Sequence, residues 1–354
     1  MTLPYILLSI LWLALIAYAS FGGADFGAGL LELFARGKAE ERQRDLISSS
    51  IGPVWETNHV WLVFLVVGLF SAFPNAFAVL CIVLFYPLVL ALIGVVLRGS
   101  SFIFRTHGLR SKHPALAIWN RVFAVSSFMT PFFLGISAAA VASGQIHTHN
   151  LQANPGSYLF TPFALTIGLL AVALCATLAS IFLTVEATNR KEDDLVIAFR
   201  LRALIAGGIT ALLGLFGLLL APAYAPILWQ GMLNHAIALV IATMLIGLAT
   251  SVTLYLGYYR IARTLIVAET AFMLGTWGVS QIPYIIPPNV TVAGAADSTS
   301  TLLLLLIGVI IGMVLLIPSL FLLFYIFKYQ NTMGLLQQGD VPRADKGEGM
   351  PVLK

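Results

Sequence analysis

Apolar residues run through this chain in long uninterrupted blocks separated by polar links. A helix needs about 20 such residues to cross the hydrocarbon of a bilayer. Blocks of that kind occupy residues 3–34, 52–71, 74–97, 121–142, 160–184, 203–221, 233–256, 264–283 and 302–327. The pattern predicts an all-α polytopic membrane protein with nine transmembrane helices. Four helices precede the long connection at 185–202, four follow it, and a ninth comes last. That order fits two four-helix bundles plus one peripheral helix. Residues 1–330 then form a single integral domain, and 331–354, ending in "QQGDVPRADKGEGMPVLK", read as a flexible cytoplasmic tail rich in polar residues, Gly and Pro.

Composition agrees with the pattern. Of 354 residues, 59% are hydrophobic and 10% charged, against about a quarter charged in a soluble domain. The placement of the positive charge adds an orientation. Arg36, Lys38, Arg42 and Arg44 fall in the first connection, Arg98, Arg105, Arg110, Lys112 and Arg121 in or beside the third, and Arg190, Lys191, Arg200 and Arg202 in or beside the fifth. Arg260 and Arg263 lie at the seventh, and Lys328, Arg343, Lys346 and Lys354 in the tail. These are all 19 basic residues, and in a nine-helix chain every one falls on the same side. Positive connections stay in the cytoplasm, so the N-terminus is expected outside and the C-terminus inside.

The same distribution argues against nucleic acid as a partner, because no basic stripe interleaved with aromatics appears. No phosphate-binding or dinucleotide-binding glycine pattern is present. The first apolar block lacks a positive start and a small-residue cleavage site, so it reads as a span and not as a leader. Cys81 and Cys175 sit singly inside apolar blocks and read as packing residues.

Charges inside such blocks persist only when paired, hydrated or useful. Glu32 stands four residues before Arg36, a spacing that favours a local helical pair. Glu186 adjoins "TNRKEDD" and reads as solvated, and Glu269 reads as a partner for Arg260 or Arg263. Asp25 and Glu56 stand apart from these. Asp25 lies in "GGADFGAG" (22–29), whose glycines admit a neighbouring backbone. Glu56 lies in "GPVWETNHVWLVF" (52–64), which opens on the turn signal Gly52-Pro53. The first two helices are antiparallel neighbours, so both acids fall at similar depth in the inner half. His59 follows Glu56 on the same helical face, and Arg98 ends the third span on that side. Asp25, Glu56, His59 and Arg98 are therefore expected to cluster. Two readings stand: an ion-pair knot that holds helices together, and a proton entrance from the cytoplasm. Of the six histidines only His59 and His235 enter the apolar blocks, at opposite faces, so no pair is placed to hold one iron.

Four stretches in this order resemble subunit II of cytochrome bd-type quinol oxidases: "GGADFGAGLLELFAR" (22–36), "GPVWETNHVWLVF", "LRGSSFIFR" (97–105) and "QIPYIIPP" (281–288). The short outer links and the last stretch resemble the cyanide-insensitive branch. The resemblance implies a haem-free subunit paired with a haem-bearing subunit I in a bacterial plasma (inner) membrane. The partner would carry the haems (haem b with haem d, or b-type haem only) and the quinol site, and a small single-helix accessory subunit can join the pair. The complex would oxidise quinol and reduce oxygen to water. This chain would bind no haem, contribute part of a proton path and hold a structural quinone. Asp25 and Glu56 match the family's intramembrane acids, and Arg98 its arginine at the end of the third helix. His59 stands where other members carry Gln. The alternative is a stand-alone proton-coupled secondary transporter with Asp25 and Glu56 as coupling sites.

Overall fold

The structure, a computed structural model, describes residues 2–35, 39–105, 115–146 and 156–339, and of 51–56, 115–117, 156–157 and 323–339 the backbone only. In chain order the elements are α1 (Thr2–Glu32), α2 (Glu40–Ala72), α3 (Pro74–Val83), α4 (Phe85–Ile103), α5 (Ala115–Ala142), α6 (Gly156–Leu159), α7 (Pro162–Asn189), α8 (Asp193–Tyr224) and α9 (Pro226–Gly231). A π-helical turn (Met232–Ala236) leads into α10 (Ile237–Tyr255) and α11 (Tyr259–Gln281). A short antiparallel hairpin, β1 (Tyr284–Ile286) and β2 (Val290–Thr291), precedes α12 (Val292–Ala295) and α13 (Thr299–Gly339). The chain divides into two units, residues 1–307 and 308–354, and every element from α1 to α12 belongs to the first.

Seven described helices are long and apolar enough to cross a membrane, or eight if the bent pair α2–α3 counts as one span. Nine were expected: α4 still counts as a span by itself, whereas α2 counts only through its bent pairing with α3, and α11 does not count. The third apolar block is broken at Leu84, three residues before Pro87. That proline has no N–H to bond the Val83 carbonyl, so one helix closes and another opens there. The eighth block lies in α11, where Arg263, Glu269 and several Thr, Ser and Gly residues dilute the apolar content.

The turn signal Gly52-Pro53 makes no turn: α2 runs through it from Glu40. Its first turns are polar, and their charges are tied to other connections. Arg42 pairs with Glu192 and Asp194, and Arg190 pairs with Asp45. The last helix, α13, runs to Gly339. Of the two cysteines, Cys175 is buried and Cys81 exposed, so only Cys175 packs within the chain.

The helices fall into two groups with the same internal wiring. In the first, α1 packs on α2 and α5, and α4 on α5; in the second, α7 packs on α8 and α11, and α10 on α11. The groups meet where α7 packs on both α1 and α5. The corners match as well. Phe73 and Ala225 leave their helices with nearly the same backbone, φ −136°, ψ 60° and φ −141°, ψ 58°. Each is followed by a proline at the start of the next helix, Pro74 and Pro226. A proline fits there because the first helical N–H has no partner to lose. Both corners are fully buried, in one core with Ala76, Ile136, Phe163 and Ile286.

Candidate functional site

Three helices settle directly on the backbone of α1 where its glycines remove side chains. A Cβ on Gly22 would lie 2.8 Å from Asn58 Oδ1 of α2, and one on Gly29 would lie 2.2 Å from Ser127 Oγ of α5. On Gly27 it would fall 1.8 Å from the Cys175 carbonyl oxygen of α7. Asp25 stands in the middle of this stretch and is 1% exposed.

Arg98 of α4, 2% exposed, reaches it with every face of its guanidinium engaged. Nη1 donates to Asp25 Oδ2 at 2.8 Å, Nη2 to the Asp25 backbone carbonyl at 2.7 Å, and Nε to Ser127 Oγ at 3.0 Å. Ser127 in turn donates to the Phe123 carbonyl at 2.6 Å. The rings of Phe123 and Phe26 cover the cation at 4.6 and 5.1 Å, close enough for a cation–π contribution. Charge-assisted bonds of this number are what allow two full charges to stay in a dry interior. Asn58 Nδ2 also donates to Asp25 Oδ2, at 3.5 Å. Asp25 Oδ1 and Asn58 Oδ1 are buried and have no hydrogen-bond partner among the described residues.

Of the expected cluster, the structure brings Asp25 and Arg98 into contact. His59 is half-buried in α2, one residue after Asn58. Glu56 belongs to α2, two residues before Asn58, and its side chain lies outside the described residues. Asn58 and Ser127 were not singled out from the sequence. Only the 33-residue separation that lets α2 fold back along α1 makes Asn58 a partner of Asp25.

The other acids have neighbours outside this cluster. Glu32 pairs with Arg105 and, at 3.8 Å, with Arg44, while Arg36 lies outside the described residues. Glu186 is half-buried near the end of α7 and meets Arg190 at 3.7 Å. Glu269 has no ion pair among the described residues, which overturns its expected pairing with Arg260 or Arg263. The reason is that α11 begins at Tyr259, so Glu269 sits about 15 Å along the helix, and the Arg263 guanidinium lies over the Phe182 ring instead.

Among the described residues no three His, Cys, Asp or Glu side chains are placed to hold a metal ion. His59 lies in α2 and His235 is exposed in the π-helical turn; the remaining histidines lie outside the described residues.

The second helix group has a neutral version of the Asp25–Asn58 contact. Thr177 of α7 and Thr210 of α8 share a hydrogen bond at 3.0 Å across the same 33-residue separation. Residues 177 and 210 lie 152 positions after 25 and 58, the spacing that also relates Phe73 to Ala225.

A family model described as cytochrome bd terminal oxidase subunit II matches residues 3–327. This chain belongs to that family. A putative cytochrome bd menaquinol oxidase subunit II of Bacillus subtilis is 26% identical over 340 residues, covering 91% of this chain and 94% of the relative. The cytochrome bd-I ubiquinol oxidase subunit 2 of Escherichia coli is 25% identical over 201 residues, covering 55% and 51%. The bd oxidase structure from Geobacillus thermodenitrificans superposes with a TM-score of 0.73 at 23% identity, over 93% of this chain and 99% of the other. That match supports the fold. Cytochrome bd subunit II is a component of a membrane-bound quinol oxidase, an oxidoreductase complex that includes a subunit I. The buried acid–arginine pair of α1 and α4 is the charged centre of this member's first helix group.

Proposed function

We propose that this chain is the haem-free subunit II of a quinol:oxygen oxidoreductase. In this reading it scaffolds a haem-bearing subunit I and carries protons from the cytoplasm toward the oxygen-reducing centre. Protons would enter along α2, past Glu56 and His59, and reach Asp25, which Arg98 holds in place. One observation carries the reading. A carboxylate buried in the membrane binds its arginine through Oδ2 and the backbone while Oδ1 has no partner among the described residues. A proton can therefore add at Oδ1 without displacing the guanidinium, and a group held between desolvation and a fixed positive charge can exchange protons.

The complex would hold haem b with haem d, or b-type haem only, in subunit I, with quinol as electron donor. A structural quinone in this chain and a single-helix accessory subunit complete the assembly. Residues 1–330 are the integral domain and 331–354 a cytoplasmic tail. The N-terminus faces outward, because every basic residue then lies on the cytoplasmic side. The location is the bacterial inner membrane.

The saturation of Arg98 favours a second reading, in which the pair only locks α1, α4 and α5 together. Glu56→Gln in the purified complex separates the two. Slower oxygen reduction with the haem spectrum intact supports the proton route. Full turnover with assembly intact removes Glu56 from it, and loss of the complex favours the lock. The family does not favour a stand-alone transporter. Proton-driven solute uptake by this chain alone in liposomes would revive that alternative.

A further inference from the structure

The proton route leaves one membrane carboxyl unused. Glu269 sits in the seam between α10 and α11, half-buried and mid-helix. Gly247 of α10 makes its seat: a Cβ there would lie 2.9 Å from Oε1 and 3.5 Å from Oε2. The first helix group has the same arrangement between α4 and α5, where a Cβ on Gly94 would lie 2.4 Å from Thr130 Oγ1. In that group the side chain beside the glycine is a neutral hydroxyl; here it is a carboxyl.

Among the described residues no cation pairs with Glu269. The elements packed on α11 are α1, α7, α9, α10, β1 and the π-helical turn. From α10 come Gly247 and the hydroxyl of Thr250, neither of them charged. No charged group from the other elements acts on Glu269 among the described residues. Arg263, nearest in α11, is held over Phe182 at 5.9 Å, and Arg260 is exposed. A carboxylate left unpaired inside a membrane helix is costly, so the carboxyl keeps its proton.

We propose that Glu269 is a second proton-carrying acid of this subunit, separate from the Asp25–Arg98 pair, neutral at rest, and open from the α10–α11 seam to small hydrophobic reagents. A protonated membrane carboxyl of this kind adds to dicyclohexylcarbodiimide. Its proton moves to one nitrogen, its oxygen bonds the central carbon, and the O-acylisourea rearranges to a stable N-acylurea. No group leaves and no oxidant is needed. The inference stands whether or not Asp25 conducts protons.

The test uses the intact complex in membranes treated with dicyclohexylcarbodiimide, with the adduct located by peptide mass. Infrared spectra of wild type minus Glu269→Gln read the protonation state directly. The expected results are an adduct on the α11 peptide that falls to background in Glu269→Gln and at alkaline pH, and loss of one carboxylic-acid C=O band in the variant. Loss of carboxylate bands instead would overturn the neutral state. An acid band without an adduct would overturn the opening to the seam. Should Glu269→Gln fail to assemble, the wild-type complex alone decides, and absence of an adduct on its α11 peptide counts against the proposal.

Discussion

Arg98 holds Asp25 by both its side chain and its main chain, Nη1 to Oδ2 at 2.8 Å and Nη2 to the backbone oxygen at 2.7 Å. The second bond makes the arginine a fastener between α4 and α1 even when the carboxylate is neutral. Removing one partner of a buried pair leaves an uncompensated charge and costs about 3–5 kcal/mol, whereas removing both is often close to neutral. Arg98→Ala should therefore prevent recovery of the assembled complex. The double variant Asp25→Leu with Arg98→Met should assemble and yet turn over slowly. Thermal unfolding and oxygen consumption of the purified complexes check the two halves. Normal turnover in the double variant would leave the pair with a purely structural role.

The crossing of α1 and α7 depends on contact between backbones. Gly27→Ala would place a methyl 1.8 Å from the Cys175 carbonyl oxygen, and Gly231→Ala would place one 1.9 Å from the Ser280 carbonyl oxygen. In each case the obstacle is backbone and cannot rotate away, so helices must part. Both variants should reduce the amount of assembled complex several-fold. Gly208→Ala meets nothing within 4 Å and serves as the control, with wild-type yield expected. Size-exclusion profiles of the solubilised complexes report the outcome.

The C-terminal end of α1 is finished by a residue far along the chain. Arg202 Nη2 donates to the Phe34 carbonyl at 2.9 Å and to Gln43 Oε1 at 2.8 Å. It thereby satisfies a carbonyl just beyond the helix end and ties it to α2. Arg202 is half-exposed, so Arg202→Ala should cost only about 1 kcal/mol. The unfolding midpoint of the complex should fall by a few degrees while its haem spectrum remains unchanged.

The apolar blocks made most helices legible, because burial in lipid leaves a run that no polar position interrupts. Their ends were less so. The start of α2 was hidden by Glu40, Glu41, Arg42 and Arg44, whose partners include Glu32, Glu192 and Asp194 from other connections. The internal repeat was also missed, since "GGADFGAG" has no later echo. It lies in positions that share geometry without sharing side chains: Phe73 with Ala225, Asp25 with Thr177, Asn58 with Thr210. Asp25 and Arg98 could be paired from depth alone. Asn58 and Ser127 could not, because amides and hydroxyls inside membrane helices are common and their partners depend on rotation about the helix axis. For the same reason Glu269 was assigned to an arginine that faces Phe182.

The proton route through α2 is tested most directly by following proton uptake and oxygen reduction together. The reduced complex is mixed with oxygen in the presence of a pH-indicating dye, for wild type and for Glu56→Gln with the same haem content. Slowed proton uptake in the variant, with oxygen binding unchanged, is the expected result. Uptake at the wild-type rate and extent would contradict a path that begins at Glu56 and ends at Asp25.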